Sequence, residues 1–136
     1  MRTFYLFKIK KNYFNLTKES PYNLYKAIEN IYYLKKEELS TGYNFFNQIS
    51  DTFNKEYLDN NIFEYYKHRY TYTKVHNTHM INDYYSNEKS KLIINKTFMF
   101  IKSTKQFPTF LKAITRKENI FVCDFINKDY FWLEDI

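Results

Sequence analysis

Asn119 to Leu133 reads NIFVCDFINKDYFWL. In an extended chain Phe121, Cys123 and Phe125 share one face, and Val122, Asp124 and Ile126 share the other. Both faces are mostly apolar, which marks an interior strand covered on both sides. Asn127 to Asp129 is a turn signal, and YFWL is a returning strand with Trp132 beneath a helix. Cys123, set between two phenylalanines, reads as a small core hydrophobe, because nothing local lowers its pKa toward a reactive thiolate. Asp124 is the odd residue in this block. A buried carboxylate has to be paired or protonated, so it is expected to accept hydrogen bonds from the turn backbone or from a lysine.

Working outward, FYLFKIK (Phe4 to Lys10) alternates, with Tyr5, Phe7 and Ile9 on one face and Lys8 and Lys10 on the other. That pattern predicts a half-buried strand. ESPYNLYKAIENIYYL predicts a helix capped by Ser20 and opened by Pro21, with Leu24, Tyr25, Ile28, Ile31 and Tyr32 as its stripe. YNFFNQISDTFNKEYL predicts a second helix with Phe46, Ile49, Phe53 and Tyr57 on one face, interrupted at Asp59, Asn60 and Asn61. Ile62, Phe63, Tyr66 and Tyr70 fit a further short helix. RYTYTKV is strand-like. LIINKTFMFIKS reads as two strands about Asn95 and Lys96, or as one bulged strand. QFPTFLKAITRK is a helix with Phe107, Phe110, Leu111 and Ile114 as its stripe. The expected fold class is α/β or α+β: one domain over residues 1–136, with a mixed or largely antiparallel sheet and helices packed on it.

Composition narrows the function classes. The chain has 15 Tyr and 14 Phe but one Gly and two Pro in 136 residues, so turns fall to Asn, Asp and Ser. A single glycine, Gly42, excludes the usual phosphate-cradling loop and the dinucleotide fingerprint. His68, His76 and His79 read as loop or surface residues, and the spacing of the last two is a weak zinc signal without a paired cysteine motif. No carboxylate pair is fixed around a pocket. The expectation is therefore no enzyme, no metal and no cofactor or other small-molecule ligand. No stretch approaches eighteen apolar residues, so no membrane span is expected and the cytoplasm is the default location. The net charge of +6 is modest and suits an acidic protein partner as well as a polyanion. Direct nucleic-acid contact is disfavoured. Lysine and aromatics interleave in TFMFIKSTK, but a strand packed on a core looks the same. Surface tyrosines in KNYFNLTKESPYNLY favour protein contact instead.

The run of FYLFKI, ESPYNLYKAI, NQISDTF, TFMFIK, FLKAI and FVCDFINKDYFWL resembles the sporulation inhibitor of replication family, the SirA-type proteins of Firmicutes, over nearly the full length. The resemblance implies a non-enzymatic inhibitor that binds the amino-terminal domain of the replication initiator DnaA early in sporulation. It also implies an interface built from aromatic residues after the first strand and a glutamine on a later helix. These fall on Tyr13, Phe14 and Gln48. Gln48 matches when the Gln48–Ile49 pair is the anchor, and a register that aligns Ile49 later in that helix loses it. Thr17, Lys18 and Glu19 stand where members often carry Tyr-Phe-Gly, so one contact tyrosine is missing. The alternative reading is a small basic nucleic-acid-binding protein, or a phage host-takeover protein acting on DNA or another replication component.

Overall fold

The computed structural model describes residues 1–34, 36–114 and 119–136, with the Lys36 side chain also outside the description. The element order is β1 (Arg2–Ile9), α1 (Lys11–Thr17), α2 (Pro21–Tyr32), α3 (Leu39–Ile49), β2 (Ser50–Asp51), α4 (Lys55–Tyr66), β3 (Tyr72–Val75), β4 (Thr78–Asp83), β5 (Glu88–Ile94), β6 (Met99–Ser103), α5 (Phe110–Ala113), β7 (Ile120–Asp124) and β8 (Asp129–Trp132). Short 3₁₀ turns precede α3 and follow β8. The strands form one antiparallel sheet in the order β3-β4-β5-β6-β1-β7-β8, with β2 paired to the end of β1.

Helices pack on both faces of the sheet. On one face Phe4, Leu6, Leu92, Ile101 and Val122 meet Ile62 and Tyr66 of α4 and Phe110 and Leu111 of α5. On the other, Phe7, Ile9, Phe121, Cys123 and Trp132 meet Leu24, Tyr25 and Ile28 of α2 and Ile49 of α3. β1 is therefore covered on both sides rather than half-buried, because Phe4 and Leu6 occupy the face opposite Tyr5, Phe7 and Ile9. β7 is buried along its whole length, as its two apolar faces require. The expected Ser20 side-chain cap is absent, and a cap not anticipated from the sequence is present at Asn54. The Ser20 carbonyl accepts from the Asn23 N–H at 3.1 Å. Asn54 Oδ1 does cap α4, accepting from the Tyr57 N–H at 3.2 Å.

Further expectations fail. The helix drawn through Ile49 to Tyr57 breaks at Ser50, where the chain turns extended to pair with β1. Tyr57 belongs to α4 and is exposed. α4 runs unbroken through Asp59, Asn60 and Asn61, because Asp59 is no solvent-facing helix breaker. Its Oδ1 accepts from His79 Nε2 at 2.7 Å and its Oδ2 from Lys55 Nζ at 2.9 Å. His79 is another departure: it is fully buried in β4 rather than on a loop. α5 is shorter than its stripe implies. Phe107 lies outside it and is exposed, and Thr115, Arg116 and Lys117 fall outside the described residues.

The Asp59 carboxylate can only accept, so His79 carries its proton on Nε2, and the neutral ring accepts at Nδ1 from Tyr72 Oη at 2.7 Å. Burial pushes the His79 pKa below its ordinary value, and the Asp59 carboxylate only partly opposes this. An unfolded chain therefore protonates this histidine first as pH falls. The stability is present above an unfolded pKa of about 6.5 and is lost as pH drops through the lower folded value. Urea midpoints measured from pH 7.5 to 5 are expected to fall, and His79→Gln to flatten that slope. An equal slope in the variant would assign the dependence elsewhere.

At the other end of the sheet, the turn backbone donates to Asp124 as expected, and the charged donor is Arg2 rather than a lysine. Arg2 Nε donates to Asp124 Oδ2 at 2.9 Å, while Asn127 donates through its N–H at 3.1 Å and its Nδ2 at 2.7 Å. Burial by itself lifts this carboxyl, but the Asn127 and Arg2 hydrogen bonds outweigh it and hold the pKa below the ordinary aspartate value. Arg2 also reaches Asp129 Oδ2 at 2.7 Å, tying β1 to the β7–β8 turn. Left-handed backbone at turns and loops falls to His76, Asn87, Asn119 and Lys128. The one glycine sits inside α3, where a Cβ would strike Leu34; it serves close packing, not chain reversal.

Candidate functional site

Two surfaces meet on the helical layer that holds α1, α2 and α3. The first carries the three residues singled out in the sequence. Lys10 N–H donates to the Ile49 carbonyl at 2.9 Å, and Ile9 pairs with Ser50 across β1 and β2. These bonds fasten the start of α1 to the end of α3. Tyr13 and Phe14 thus lie on α1 and Gln48 in the last turn of α3, on adjoining elements. Gln48 is exposed beside buried Ile49, as the helical spacing implies. Tyr13 is half-buried, with its carbonyl accepting from Thr17 Oγ1 at 2.6 Å. Phe14 faces partly inward. Its ring stands edge-on to Trp132 at 4.8 Å, and the Lys18 ammonium lies 5.7 Å from the ring centroid. Trp132 is held under helices as expected, in the cluster with α2 and edge-on to Phe14 of α1. Leu16 on the same helix is 75% exposed.

The second surface is a groove of about 740 Å³ between α2, α3 and the sheet. Tyr5, Phe7 and Phe98 form its floor. Ile28, Ile31 and Tyr32 of α2 make one wall, and Leu39, Tyr43 and Phe46 of α3 the other. The aromatics pack against one another: Tyr5 and Tyr32 at 5.4 Å, Phe7 and Phe46 edge-on at 5.4 Å, and Tyr32 stacked on Phe125 at 4.3 Å. Burial, helped by the neighbouring Tyr32 phenol, pushes the Tyr5 phenol up to about 12, so its hydroxyl stays neutral at physiological pH. Tyr43 and Tyr32 remain exposed at the rim. An apolar concavity of this size with a few phenolic hydroxyls suits a packed side chain or a helix edge.

The alternation of FYLFKIK and TFMFIK places Tyr5, Phe98 and Phe100 on one face of the sheet, and that signal is present in the sequence. Which helix would stand over them is not. Among the described residues one buried side-chain polar atom, Trp132 Nε1, has no hydrogen-bond partner, while the buried charged groups elsewhere are closed on their own partners. Glu88 accepts from Ser90 Oγ and from the N–H and hydroxyl of Thr109, and the Tyr72–His79–Asp59 chain ends on Lys55. Cys123 is fully buried, and burial pushes its thiol well above the ordinary value, which removes it as a nucleophile at neutral pH. Among the described residues no group of three or more His, Cys, Asp or Glu side chains is placed to hold a metal ion, and no helix is long and apolar enough to cross a membrane. No family model matches the chain, and no curated protein is significantly similar to it.

Proposed function

We propose that this chain is a protein-binding inhibitor of replication initiation, acting in the cytoplasm during early sporulation by covering the amino-terminal domain of the initiator DnaA. The observation that carries the binding role is the aromatic groove between α2 and α3, open to solvent beside the fastened α1–α3 corner. Exposed aromatic surface of this kind is enriched where proteins meet. The choice of target rests on the sequence resemblance, through Tyr13, Phe14 and Gln48. Occlusion needs no chemistry. An interface of about 1,000–1,600 Å² is enough for a specific complex, and α1, the end of α3 and the groove rim together offer a continuous helical layer for it. The excess of positive charge would raise the association rate with an acidic partner face.

The test is titration of the full chain against the isolated first domain of the initiator. Tyr13→Ala and Tyr43→Ala are each expected to cost about 1–3 kcal/mol of binding if they are anchors, with thermal stability little changed. Gln48→Ala, at an exposed rim position, is expected to cost about 1 kcal/mol. Undiminished binding by all three folded variants would remove this surface from the mechanism, and no binding by the parent chain would remove the target.

A further inference from the structure

The groove floor ends at Phe98, just before β6, and beyond it the exposed lysines of β5 and β6 on the same face have no helix over them among the described residues. The register places Lys91 of β5 directly opposite Lys102 of β6, and Ile93 opposite Phe100 one row along. Lys89 precedes Lys91 by two residues on the same face. All three lysines are exposed, and Phe100 is half-buried. The side chains of β3 to β6 on this face include no carboxylate. None of the three ammonium groups belongs to an ion pair of the described residues. Like charges directly opposed across a ladder weaken it. A fold that sets Lys91 against Lys102 on an open face leaves that repulsion uncompensated until an anion arrives.

We propose that this face binds single-stranded nucleic acid. Same-face residues recur about 7 Å apart along a strand, and neighbouring strands are about 5 Å apart. Lys89, Lys91 and Lys102 therefore form a compact cationic cluster, with the Phe100 ring one row beyond it. A phosphate held by the lysines leaves its base within reach of that ring, and Tyr5, edge-on to Phe100 at 5.4 Å, extends the aromatic row. At the opposite end of the cluster the β4–β5 hairpin tip presents Tyr84 and Tyr85, 89% and 92% exposed. The tip is shaped by Asp83 Oδ1, which accepts from the Tyr85 N–H at 2.9 Å. The track thus runs aromatic, lysine, lysine, aromatic. Stacking platforms flanking a cationic groove are how proteins hold unpaired strands without reading their sequence. A duplex keeps its bases stacked inside, so the rings gain nothing from it. An acidic peptide would satisfy the lysines but has no use for the flanking rings.

The experiment is fluorescence anisotropy of the full chain with labelled fifteen-residue oligo-dT and oligo-rU at rising KCl. If three phosphates are engaged, the log–log salt slope is about −2, so affinity falls roughly 20-fold between 50 and 200 mM salt. Lys91→Glu is expected to weaken binding at least about tenfold while melting no lower than the parent, since the new carboxylate faces Lys102. Phe100→Leu is expected to weaken binding about fivefold or more and leave the slope unchanged. No anisotropy change at 50 mM KCl, equal binding by Lys91→Glu, equal or tighter binding of a duplex of the same length, or full displacement by equimolar polyglutamate would each overturn the assignment. Tyr13→Ala is expected to leave oligonucleotide binding intact, which separates this face from the proposed protein interface.

Discussion

A chain ending at Phe125 is expected to be unfolded at 25 °C, with no cooperative thermal transition and no near-ultraviolet signal from packed aromatics. The deletion removes β8 and the turn that follows it. Trp132 and Leu133 are both buried, and truncating one such side chain costs about 3–5 and 2–5 kcal/mol respectively. Their sum of about 5–10 kcal/mol matches the whole stability of an ordinary domain, about 5–15 kcal/mol. Two further losses follow. β7 becomes an unpaired edge although all five of its residues are buried in the native sheet, and Arg2 loses Asp129. The control is a chain ending at Leu133, which drops only exposed residues and is expected to fold. A cooperative melt from the shorter chain would show that the sheet closes without β8.

Asp59→Ala is expected to be the most damaging single substitution at a polar site, at about 3 kcal/mol or roughly 10 °C in Tm. It strands the His79 Nε2–H in a fully buried position and removes the carboxylate that Lys55 contacts. Lys55 is partly exposed and can turn to water, so most of the cost belongs to the histidine. Asp59→Asn keeps an acceptor at Oδ1 and is expected to cost about 1 kcal/mol. Asn60→Ala, one residue along on the exposed side of α4, is expected to cost under about 0.5 kcal/mol. Guanidinium unfolding of the three variants gives the ranking, and equal losses at positions 59 and 60 would contradict the buried network.

Where the sequence was readable, each signal was local. Pro21 with the Leu24–Tyr25–Ile28 spacing located α2, and the doubly apolar IFVCDF located an interior strand. Both depend only on near neighbours. α4 was misread because Asp59, Asn60 and Asn61 look like a break until the partner of Asp59 is known. That partner is His79, in a different strand. β4 was missed for the same reason, since its pattern puts a histidine where a core residue is expected. For Asp124 the local half of the answer, the Asn127 turn backbone, is legible, whereas Arg2 lies more than a hundred residues away in sequence. The candidate surface divides in the same way. The exposure of Gln48 followed from helical spacing, whereas the inward turn of Phe14 required Trp132 to be in place. The groove required α3 to lie across β1, and the bareness of the β5–β6 face required knowing where the helices stop.

The strand order also governs how the protein can be made. β1 leaves the ribosome before every other strand of this sheet, yet its neighbours are β6 and β7. Phe4 waits for Ile101, and Leu6 for Val122. The β3–β4–β5 meander can form as local hairpins during synthesis, while Phe4, Leu6 and Phe7 emerge with nothing to pair with. Closure therefore waits for β6 and β7, and it is dominated by contacts of long sequence separation and correspondingly slow. Until it occurs, nascent β1 is an apolar strand with two open edges, the kind of segment that chaperones hold and that aggregates when they do not.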